Sequence, residues 1–246
     1  MPPISGPDDP LLAAWYQTID LGEGLASRGY FDHRGVMDRY GLPDSLAGLS
    51  ALDVGTAEGF WAFEMERRGA GPVTAVDIPS LAHADVLAGA RERMDPAVLA
   101  DTGLARRFAL AKERRGSAAE RLEMSVYELS PERVGTFDVS FCGDLLLHLQ
   151  NPMGALLAIR SVTRRLAVVE TVREHELEEA HPDRPVMQFG VLDAEEHPGQ
   201  NITYWKFTTR ALCDMLRYAG FSRVEPQEPF SLPPHDLPAT AVVAYV

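Results

Sequence analysis

The run of residues 52–60 constrains the fold more than any other part of the sequence. It reads LDVGTAEGF, so that a short apolar strand ends at an acid and passes through a G-x-x-x-G turn into a helix. A dinucleotide-binding fold carries G-x-G-x-x-G instead, because a pyrophosphate must approach the main chain and the helix N-terminus. The glycines still let a ligand pass close to the backbone. The run therefore predicts the first strand–turn–helix unit of an α/β sheet whose cofactor has no phosphate.

Strands and helices alternate over the rest of the chain. Short apolar runs bounded by Gly, Pro or polar residues are typical of strands, and apolar residues at i, i+3, i+4 and i+7 are typical of helices. The predicted strands are 51–54, 73–77, 123–126, 137–142, 166–171, 221–226 and 240–246. The predicted helices are 60–68, 81–94, 104–120, 152–160 and 209–219. The alternation predicts a doubly wound α/β fold, with helices on both faces of the sheet.

Two segments lie outside this alternation. Residues 1–48 contain several aromatic side chains, and we predict an N-terminal helical cap there, with short helices over 11–40. Residues 49–246 form the main domain. Within it, 172–207 fits no regular element of the sheet, and a connection of that length in a compact domain is usually functional. Its aromatic and hydrogen-bonding residues predict a lid over a substrate, inserted after the fifth strand.

The composition argues against several kinds of protein. Acids exceed bases by 36 to 23, giving a net charge of −13, whereas binding to a phosphate backbone relies on clustered Lys and Arg. Eight Arg or Lys fall within 91–121, which fits a solvated helix face better than a nucleic-acid site. Cys142 and Cys213 lie in apolar segments, which favours free thiols in a reducing compartment. With no membrane-length apolar run and no signal-peptide pattern, we expect a soluble cytoplasmic protein and leave open whether it forms a homodimer.

Asp77 ends the second predicted strand, 18 residues after Gly59. Ligands of open α/β sheets lie beyond the carboxyl ends of the strands, and an acid there can accept both hydroxyls of a ribose. The plainer alternative is an acid that caps the next turn. Together with Asp53 and the glycine turn, however, Asp77 favours S-adenosylmethionine (SAM), which has no phosphate and whose methionine end carries an ammonium group. Carboxylates beside the turn, Asp53 and Glu58, suit that group.

Four runs carry a resemblance to a known family: LDVGTAEGFWAFEMERRGA, VTAVDI, FDVSFCGDLLLHLQNP and VVET. They resemble class I SAM-dependent methyltransferases over nearly the whole chain, and especially the group related to bacterial tRNA wobble-uridine methyltransferases that install oxyacetyl groups. The resemblance implies a Rossmann-like, seven-stranded, mostly parallel sheet with the last strand antiparallel, and SAM as the cofactor. The expected cofactor-binding residues are Asp53, Gly55, Thr56, Glu58, Gly59, Asp77 and Ile78, then Ser125 and Val126 near the adenine, and Cys142, Gly143 and Asp144 near the methyl end.

One departure from the tRNA enzymes bears on the donor. They read roughly L-Y-H-R-R-S-P where this chain has LLHLQNP at 146–152, so a tyrosine and two arginines are missing. Those enzymes use a carboxylated SAM, and arginine is the residue suited to holding a carboxylate with two hydrogen bonds. We therefore expect ordinary SAM as the donor.

Methyl transfer requires mainly proximity and alignment from the enzyme, and a general base where the acceptor is a hydroxyl or a protonated amine. The candidate catalytic residues are His148 just past the fourth strand, Glu170 at the end of the fifth, and Tyr204 in the lid. Their alternatives stay open: His148 packing on the next helix, and Glu170 capping the lid. Asp144 and Glu170 suggest part of a magnesium site, but no third ligand is spaced to complete it, so we expect no metal.

Three functions follow from these observations. The leading hypothesis is a methyltransferase acting on O or N of a hydrophobic or aromatic small molecule, since the cap and lid are rich in Trp, Tyr, Phe and Met. The second is modification of the tRNA wobble uridine, which the resemblance and the basic 91–121 stretch support, although the acidic lid makes nucleic acid a poor partner. The third is a relative that binds SAM without turnover.

Overall fold

The N-terminal segment contains short strands where the sequence predicted helices. The structure, a computed structural model, describes residues 4, 6, 8–92, 94–100, 103–190 and 203–246. The first four strands are β1 Trp15–Gln17, β2 Asp20–Gly22, β3 Leu25–Ala26 and β4 Gly29–Phe31. Strand β1 pairs with β4 in parallel and β2 pairs with β3 antiparallel. The 3-10 turns are Pro10–Leu12, His33–Gly35 and Met37–Tyr40. The prediction of a helical cap was wrong here, because closely spaced glycines interrupt any helix in this segment.

Five parallel strands form the centre of the sheet. They are β5 Ala51–Val54, β6 Val73–Asp77, β7 Glu120–Glu123, β8 Phe137–Gly143 and β9 Thr163–Val172. Strand β7 begins and ends three residues earlier than the predicted strand 123–126. Ser125 and Glu128 explain the difference, because they form a capping box that begins a 3-10 turn directly after the strand.

The helices cover both faces of the sheet. They are α1 Phe60–Arg67, α2 Ala88–Arg91, α3 Pro96–Leu99, α4 Gly103–Arg115, α5 Pro131–Val134, α6 Pro152–Val162, α7 His175–Ala180 and α8 Thr209–Tyr218. The predicted helix 81–94 is instead a 3-10 turn at Leu81–His83 followed by the short α2. Helix α4 ends before Gly116, whose φ of +62° cannot continue a helix. Among the described helices, none combines the length and apolar character needed to cross a membrane.

The predicted lid, 172–207, has regular structure in its described part. After α7 come two strands, β10 Met187–Phe189 and β11 Trp205–Phe207, which pair antiparallel. The predicted irregular stretch thus contains a helix and a two-stranded sheet. Its central residues, 191–202, lie outside the described part of the chain, and with them His197 and Asn201.

The last three strands complete the sheet. They are β12 Arg223–Pro226, β13 Phe230–Leu232 and β14 Leu237–Tyr245. The order is β12-β14-β9-β8-β5-β6-β7, and β13 pairs with the first residues of β14. Strand β14 runs antiparallel to both of its neighbours, β9 and β12. The doubly wound, mostly parallel sheet with an antiparallel last strand is therefore confirmed, and β13 adds a short strand that was not predicted.

Two apolar clusters pack against opposite faces of the sheet. One joins the N-terminal segment, α1 and α4 to the sheet, and the other joins α6 and α8 to it. The chain leaves β5 toward β6 and β7 on one side and reaches β8 and β9 on the other. This reversal of strand order opens a crevice at the carboxyl ends of β5 and β8, where ligands bind in open α/β sheets.

Candidate cofactor and acceptor site

Asp53 fixes the turn between β5 and α1 from inside. Its Oδ2 accepts hydrogen bonds from Thr56 Oγ1 at 2.6 Å and from Ala62 N at 3.0 Å. The side chain is buried, and burial raises the pKa of its carboxyl group to about 7. Asp53 and Thr56, both expected to contact the cofactor, therefore hold the loop and the start of α1 in shape.

Asp77 lies at the end of β6, against the same loop. Its Oδ2 accepts a hydrogen bond from Ala57 N and its Oδ1 one from Ile78 N, each at 2.7 Å. A carboxylate oxygen can accept more than one hydrogen bond, so both oxygens keep capacity for a ligand's hydroxyls. The two main-chain contacts fix the orientation of the carboxylate before any ligand binds.

Arg121 is a functional residue that the sequence interpretation missed. From β7 its guanidinium donates to Ala57 O at 3.2 Å and to Ile78 O at 3.0 Å. It also counteracts the effect of burial, which raises the pKa of Asp77. An arginine in a short parallel strand is the one sequence signal that points to it, because parallel strands are usually apolar. Arg121 joins the glycine turn to the end of β6.

A cavity of about 150 Å³ lies beside the turn. It brings together six of the residues predicted for the site: Gly55, Asp77, Ile78, Ser125, Val126 and His148. Apolar walls come from residues on either side, Leu81, Val86, Met124 and Leu149. His148 is half-buried at this cavity, and its main-chain N donates to Leu145 O at 3.0 Å. The cavity is thus polar at Asp77 and apolar toward Met124.

Two tyrosines hold the loop that forms the outer wall of this cavity. Tyr127 donates its hydroxyl hydrogen to Asp85 Oδ2 at 2.6 Å, and Gln150 Nε2 donates to Asp85 Oδ1 at 2.6 Å. The hydroxyl of Tyr204 accepts a hydrogen bond from Leu87 N at 2.9 Å. Tyr204, a candidate catalytic residue, thereby supports the wall from the lid.

Glu58 connects the glycine turn to the N-terminal segment. Its carboxylate is fully buried and accepts hydrogen bonds from Tyr16 N at 2.9 Å and Gln17 N at 3.1 Å. Arg107 on α4 donates to it at 3.0 Å. Gln17 in turn accepts from Phe60 N at 3.0 Å, at the start of α1. The expectation that Glu58 faces the cofactor is corrected: its oxygens are taken up by the docked segment.

Gly59 and Cys142, two further predicted contacts, are packing residues. A Cβ at Gly59 would lie 2.7 Å from the ring of Phe108, so only glycine fits between the loop and α4. Cys142 is fully buried in the apolar cluster beside α6 and α8, and burial raises the pKa of its thiol. Side chains alternate between the faces of a strand, which places Cys142 opposite Phe141 and away from the N-terminal segment.

Asp144 and Glu170 form a pair of buried carboxylates at the ends of β8 and β9. Asp144 N donates to Glu170 O at 3.1 Å. Burial raises the pKa of Asp144, partly offset by a main-chain hydrogen bond from Val172, and burial together with Asp144 raises that of Glu170. Within the described residues, no group of three His, Cys, Asp or Glu is placed to hold a metal ion. The expected cofactor residue Asp144 thus lies beside the candidate catalytic residue Glu170.

The residues around the cavity fit SAM. Gly55 has a φ of +75°, and a Cβ there would come within 3.2 Å of Leu145 at the edge of the cavity, so glycine keeps the space open. Asp77 offers two oriented oxygens for ribose hydroxyls, and the wall beyond it is apolar enough for an adenine ring. No pyrophosphate-binding pattern competes with this assignment.

Comparisons with known proteins agree with SAM as the cofactor. A family model described as a methyltransferase domain matches residues 34–225. One similar solved structure is the N-terminal domain of EvdMO1 in the presence of S-adenosylhomocysteine (SAH) and D-fucose, with a TM-score of 0.63 and 18% identity over 96% of this chain and 92% of that one. A second is the Burkholderia thailandensis 1,6-didemethyltoxoflavin-N1-methyltransferase with bound 1,6-didemethyltoxoflavin and SAH, with a TM-score of 0.52 and 18% identity over 81% of this chain and 71% of that one. A third is the Synechocystis PCC 6803 magnesium protoporphyrin IX methyltransferase with SAH, with a TM-score of 0.53 and 14% identity over 81% of this chain and 75% of that one.

At these identities the solved structures establish a shared fold, and the family match spans most of the chain. A search of curated proteins finds no match. The fold, the cavity beside the glycine turn and the family match converge on one assignment. The chain belongs to the methyltransferase domain family, and it is a class I methyltransferase with SAM as its cofactor.

Proposed function

We propose that the protein transfers the methyl group of SAM to an oxygen or nitrogen of a small molecule. The observation that carries this proposal is the position of the Asp144–Glu170 pair, at the strand ends next to the cofactor cavity and buried beneath the N-terminal segment. Small-molecule sites are enclosed and hold a few convergent polar groups. A nucleic acid requires an open, basic surface instead.

Small molecules also accompany two of the structures that share this fold. The EvdMO1 domain was crystallised in the presence of SAH and D-fucose, and the Burkholderia enzyme has 1,6-didemethyltoxoflavin and SAH bound. One is a sugar and the other a substrate methylated on nitrogen. Both support a small-molecule acceptor here, and they leave the choice between O and N to the residues of this chain.

Each candidate residue has a proposed role. SAM supplies a methyl group already activated on sulfonium sulfur, so the protein provides alignment and, where needed, a base. Asp77 holds the ribose hydroxyls, and Ser125 and Val126 border the adenine. Glu170 is the candidate base, and His148, at the cofactor cavity, is the second candidate.

Modification of tRNA is a weaker candidate, because the basic 91–121 stretch is used within the protein. Of its seven Arg or Lys residues that the structure describes, at least five make hydrogen bonds or ion pairs to this chain: Arg91, Arg107, Arg114, Arg115 and Arg121. Arginines engaged in this way are not free to neutralise phosphates. Residues 91–121 therefore do not support tRNA as the substrate, although the sequence resembles the tRNA wobble-uridine enzymes.

The test is SAH formation from SAM, measured by mass spectrometry with a panel of hydroxylated and nitrogen-containing small molecules and, separately, with unfractionated tRNA. We expect SAH with at least one small-molecule class and a methylated product of matching mass. SAH formed only with tRNA would assign the second function. Calorimetric binding of SAM without SAH formation under any condition would favour the third hypothesis, a protein that binds SAM without turnover.

A further inference from the structure

The carboxylates of Asp144 and Glu170 are buried, and three of their four oxygens have no hydrogen-bond partner of normal geometry among the described residues. Asp144 is 7% exposed and Glu170 is 1% exposed. Both oxygens of Asp144 and Oε1 of Glu170 lack a partner among the described residues. Buried polar atoms almost always have a partner, and a buried carboxylate without one costs more than a neutral group does. Three such oxygens at one place point to a ligand that supplies hydrogen-bond donors.

Gly143 makes room for this pair. A Cβ at Gly143 would lie 3.1 Å from Glu170 Oε2 and 2.9 Å from the ring of Phe141. A side chain at this position would therefore displace the carboxylate. Asp144, the next residue, has a φ of +47°, a left-handed conformation that non-glycine residues adopt at a cost and that is enriched at functional sites. The end of β8 is thus shaped around the two carboxylates.

The pair also lies next to the cofactor cavity. Leu145 follows Asp144 directly and lines that cavity, where it packs close to Gly55. Strand β8 pairs with β5, so the end of β8 and the glycine turn lie side by side. A molecule held by Asp144 and Glu170 is therefore adjacent to the bound cofactor, as an acceptor must be.

The charge of the pair decides which donors suit it. Burial raises the pKa of both carboxyl groups, and the charge of Asp144 raises the pKa of Glu170 further, so the state with one proton on the pair is favoured over full ionisation. The titratable groups that interact with them, Tyr16 on β1, Tyr40 in the N-terminal segment and Cys142 on β8, are all neutral in their ordinary state. His33, bonded to Tyr40, has a pKa lowered to about 4 by burial and is also neutral. The pair therefore combines one acid with one base.

We propose that Asp144 and Glu170 form the acceptor subsite, and that the acceptor presents two neighbouring hydroxyl groups, as a sugar or another vicinal diol does. This inference rests on the proposed function. A hydroxyl both donates and accepts hydrogen bonds, so two of them match one ionised and one protonated carboxyl group. An ammonium group only donates, so it suits a fully ionised pair better than a pair that carries a proton. A single hydroxyl would leave at least one oxygen unpaired.

Two of the aromatic residues that suggested a hydrophobic acceptor are used for packing. Trp15, 2% exposed, and Phe31, 4% exposed, belong to the apolar cluster between the N-terminal segment and α1. The unpaired groups beneath that segment are carboxylates. The acceptor side of the site is therefore more polar than the sequence suggested.

In the reaction the ionised carboxylate of the pair removes the proton of one acceptor hydroxyl. The O–H bond breaks and an O–H bond to the carboxylate forms, while a lone pair of the acceptor oxygen bonds to the methyl carbon and the electron pair of the C–S bond stays on sulfur. The second hydroxyl keeps its hydrogen bonds to the pair and aligns the first. The products are a methyl ether, neutral SAH and a protonated carboxyl group, which returns its proton to water.

The experiment compares three panels of acceptors, with SAH formation as the readout: methyl glycosides and free sugars, monohydric alcohols and phenols, and primary amines with N-heterocycles. The wild type is compared with Asp144→Asn, Glu170→Gln and the control Glu174→Gln. Glu174 follows β9 but is paired with Lys206 at 2.8 Å. Calorimetry with SAH checks that each variant still binds the cofactor.

We expect SAH from the sugar panel with the wild type and the control. We expect kcat/KM to fall by about 100-fold or more in Asp144→Asn and Glu170→Gln, the usual effect of losing a general base. SAH affinity should stay unchanged, because Asp144, first expected at the cofactor, does not line its cavity and is assigned here to the acceptor. Turnover confined to monohydric alcohols or amines, or full activity of both variants on a sugar, would overturn the inference and leave the proposed function standing. Failure of every panel would remove the proposed function itself.

Discussion

The carboxylate of Glu58, inside the cofactor turn, accepts a hydrogen bond from the main-chain N of Tyr16 at 2.9 Å, although the two residues are 42 positions apart. Gln17 N donates to the same carboxylate, and the Gln17 side chain accepts from Phe60 N at the start of α1. The N-terminal segment is therefore fastened to the loop that binds the cofactor. Tyr16 is also one of the groups that interact with Asp144 and Glu170, so this contact orders both halves of the site.

Glu58→Gln is expected to loosen this segment. The substitution removes a buried charge from its ion pair with Arg107 and turns an amide NH₂ toward main-chain donors. Breaking a buried pair on one side costs about 3–5 kcal/mol, and we expect the free energy of unfolding to fall by that order. Chemical denaturation measures the loss, and limited proteolysis should cut the variant earlier within residues 8–48.

The matched control is Glu23→Gln. Glu23 pairs with Arg114 at 2.8 Å, but its side chain is 80% exposed. Exposed ion pairs contribute about 0–1 kcal/mol, so stability and the cleavage pattern should stay close to wild type. Equal losses in the two variants would contradict the role given to Glu58.

Asp77→Ala is expected to weaken SAM binding without unfolding the protein. The substitution removes both oxygens that we assign to the ribose hydroxyls and the two main-chain contacts that orient them. Hydrogen bonds to charged groups contribute about 1.5–3 kcal/mol, so calorimetry should show Kd rising by about 10- to 100-fold. Glu123→Gln is the control, because Glu123 is the exposed partner of Asp77 on β7. Tight SAM binding by Asp77→Ala would refute the ribose assignment.

Tyr204→Phe distinguishes a supporting residue from a catalytic base. Its hydroxyl accepts from Leu87 N, and loss of one such bond costs about 0.5–1.5 kcal/mol. If Tyr204 supports the wall of the cofactor cavity, KM for SAM should rise by about 2- to 10-fold with kcat nearly unchanged. A large fall in kcat at saturating SAM would instead restore the catalytic role. Tyr218→Phe, at a side chain 84% exposed, serves as the control.

The parts of this protein that could be predicted from sequence are those governed by local chemistry. Residues 51–54 and 73–77 were predicted as strands with the observed bounds, because each is a short, mostly apolar run that leads into a polar turn. The glycine turn at 55–59 and Asp77 were predicted to lie together, and they do so at the carboxyl ends of β5 and β6. Spacing along the chain is enough to find these features.

The parts that were missed depend on contacts between distant residues. Nothing near Glu58 in sequence shows that its carboxylate accepts hydrogen bonds from Tyr16 N and Gln17 N. Arg121 donates to the carbonyl groups of Ala57 and Ile78; its place in a short parallel strand marks it as unusual, but the sequence does not show which groups it contacts. Cys142 was expected at the methyl end of the cofactor, but which face of β8 its side chain lies on depends on the register of the strand, which the sequence does not show.

Asp53 is expected to make the stability of the protein depend on pH. Burial raises its pKa from 3.8 to about 7, so the folded state holds this proton more tightly than the unfolded state does. The contribution of Asp53 to stability is then fully present below about pH 4 and is lost as pH rises through about 7. At about 1.4 kcal/mol per pKa unit, the total loss is about 4 kcal/mol. In Asp53→Asn this group no longer titrates, so the variant should lose less stability than the wild type between about pH 5 and 8. Denaturation of both proteins without cofactor at a series of pH values measures the difference, and a difference that stays constant with pH would show that the Asp53 carboxylate titrates normally in the folded protein.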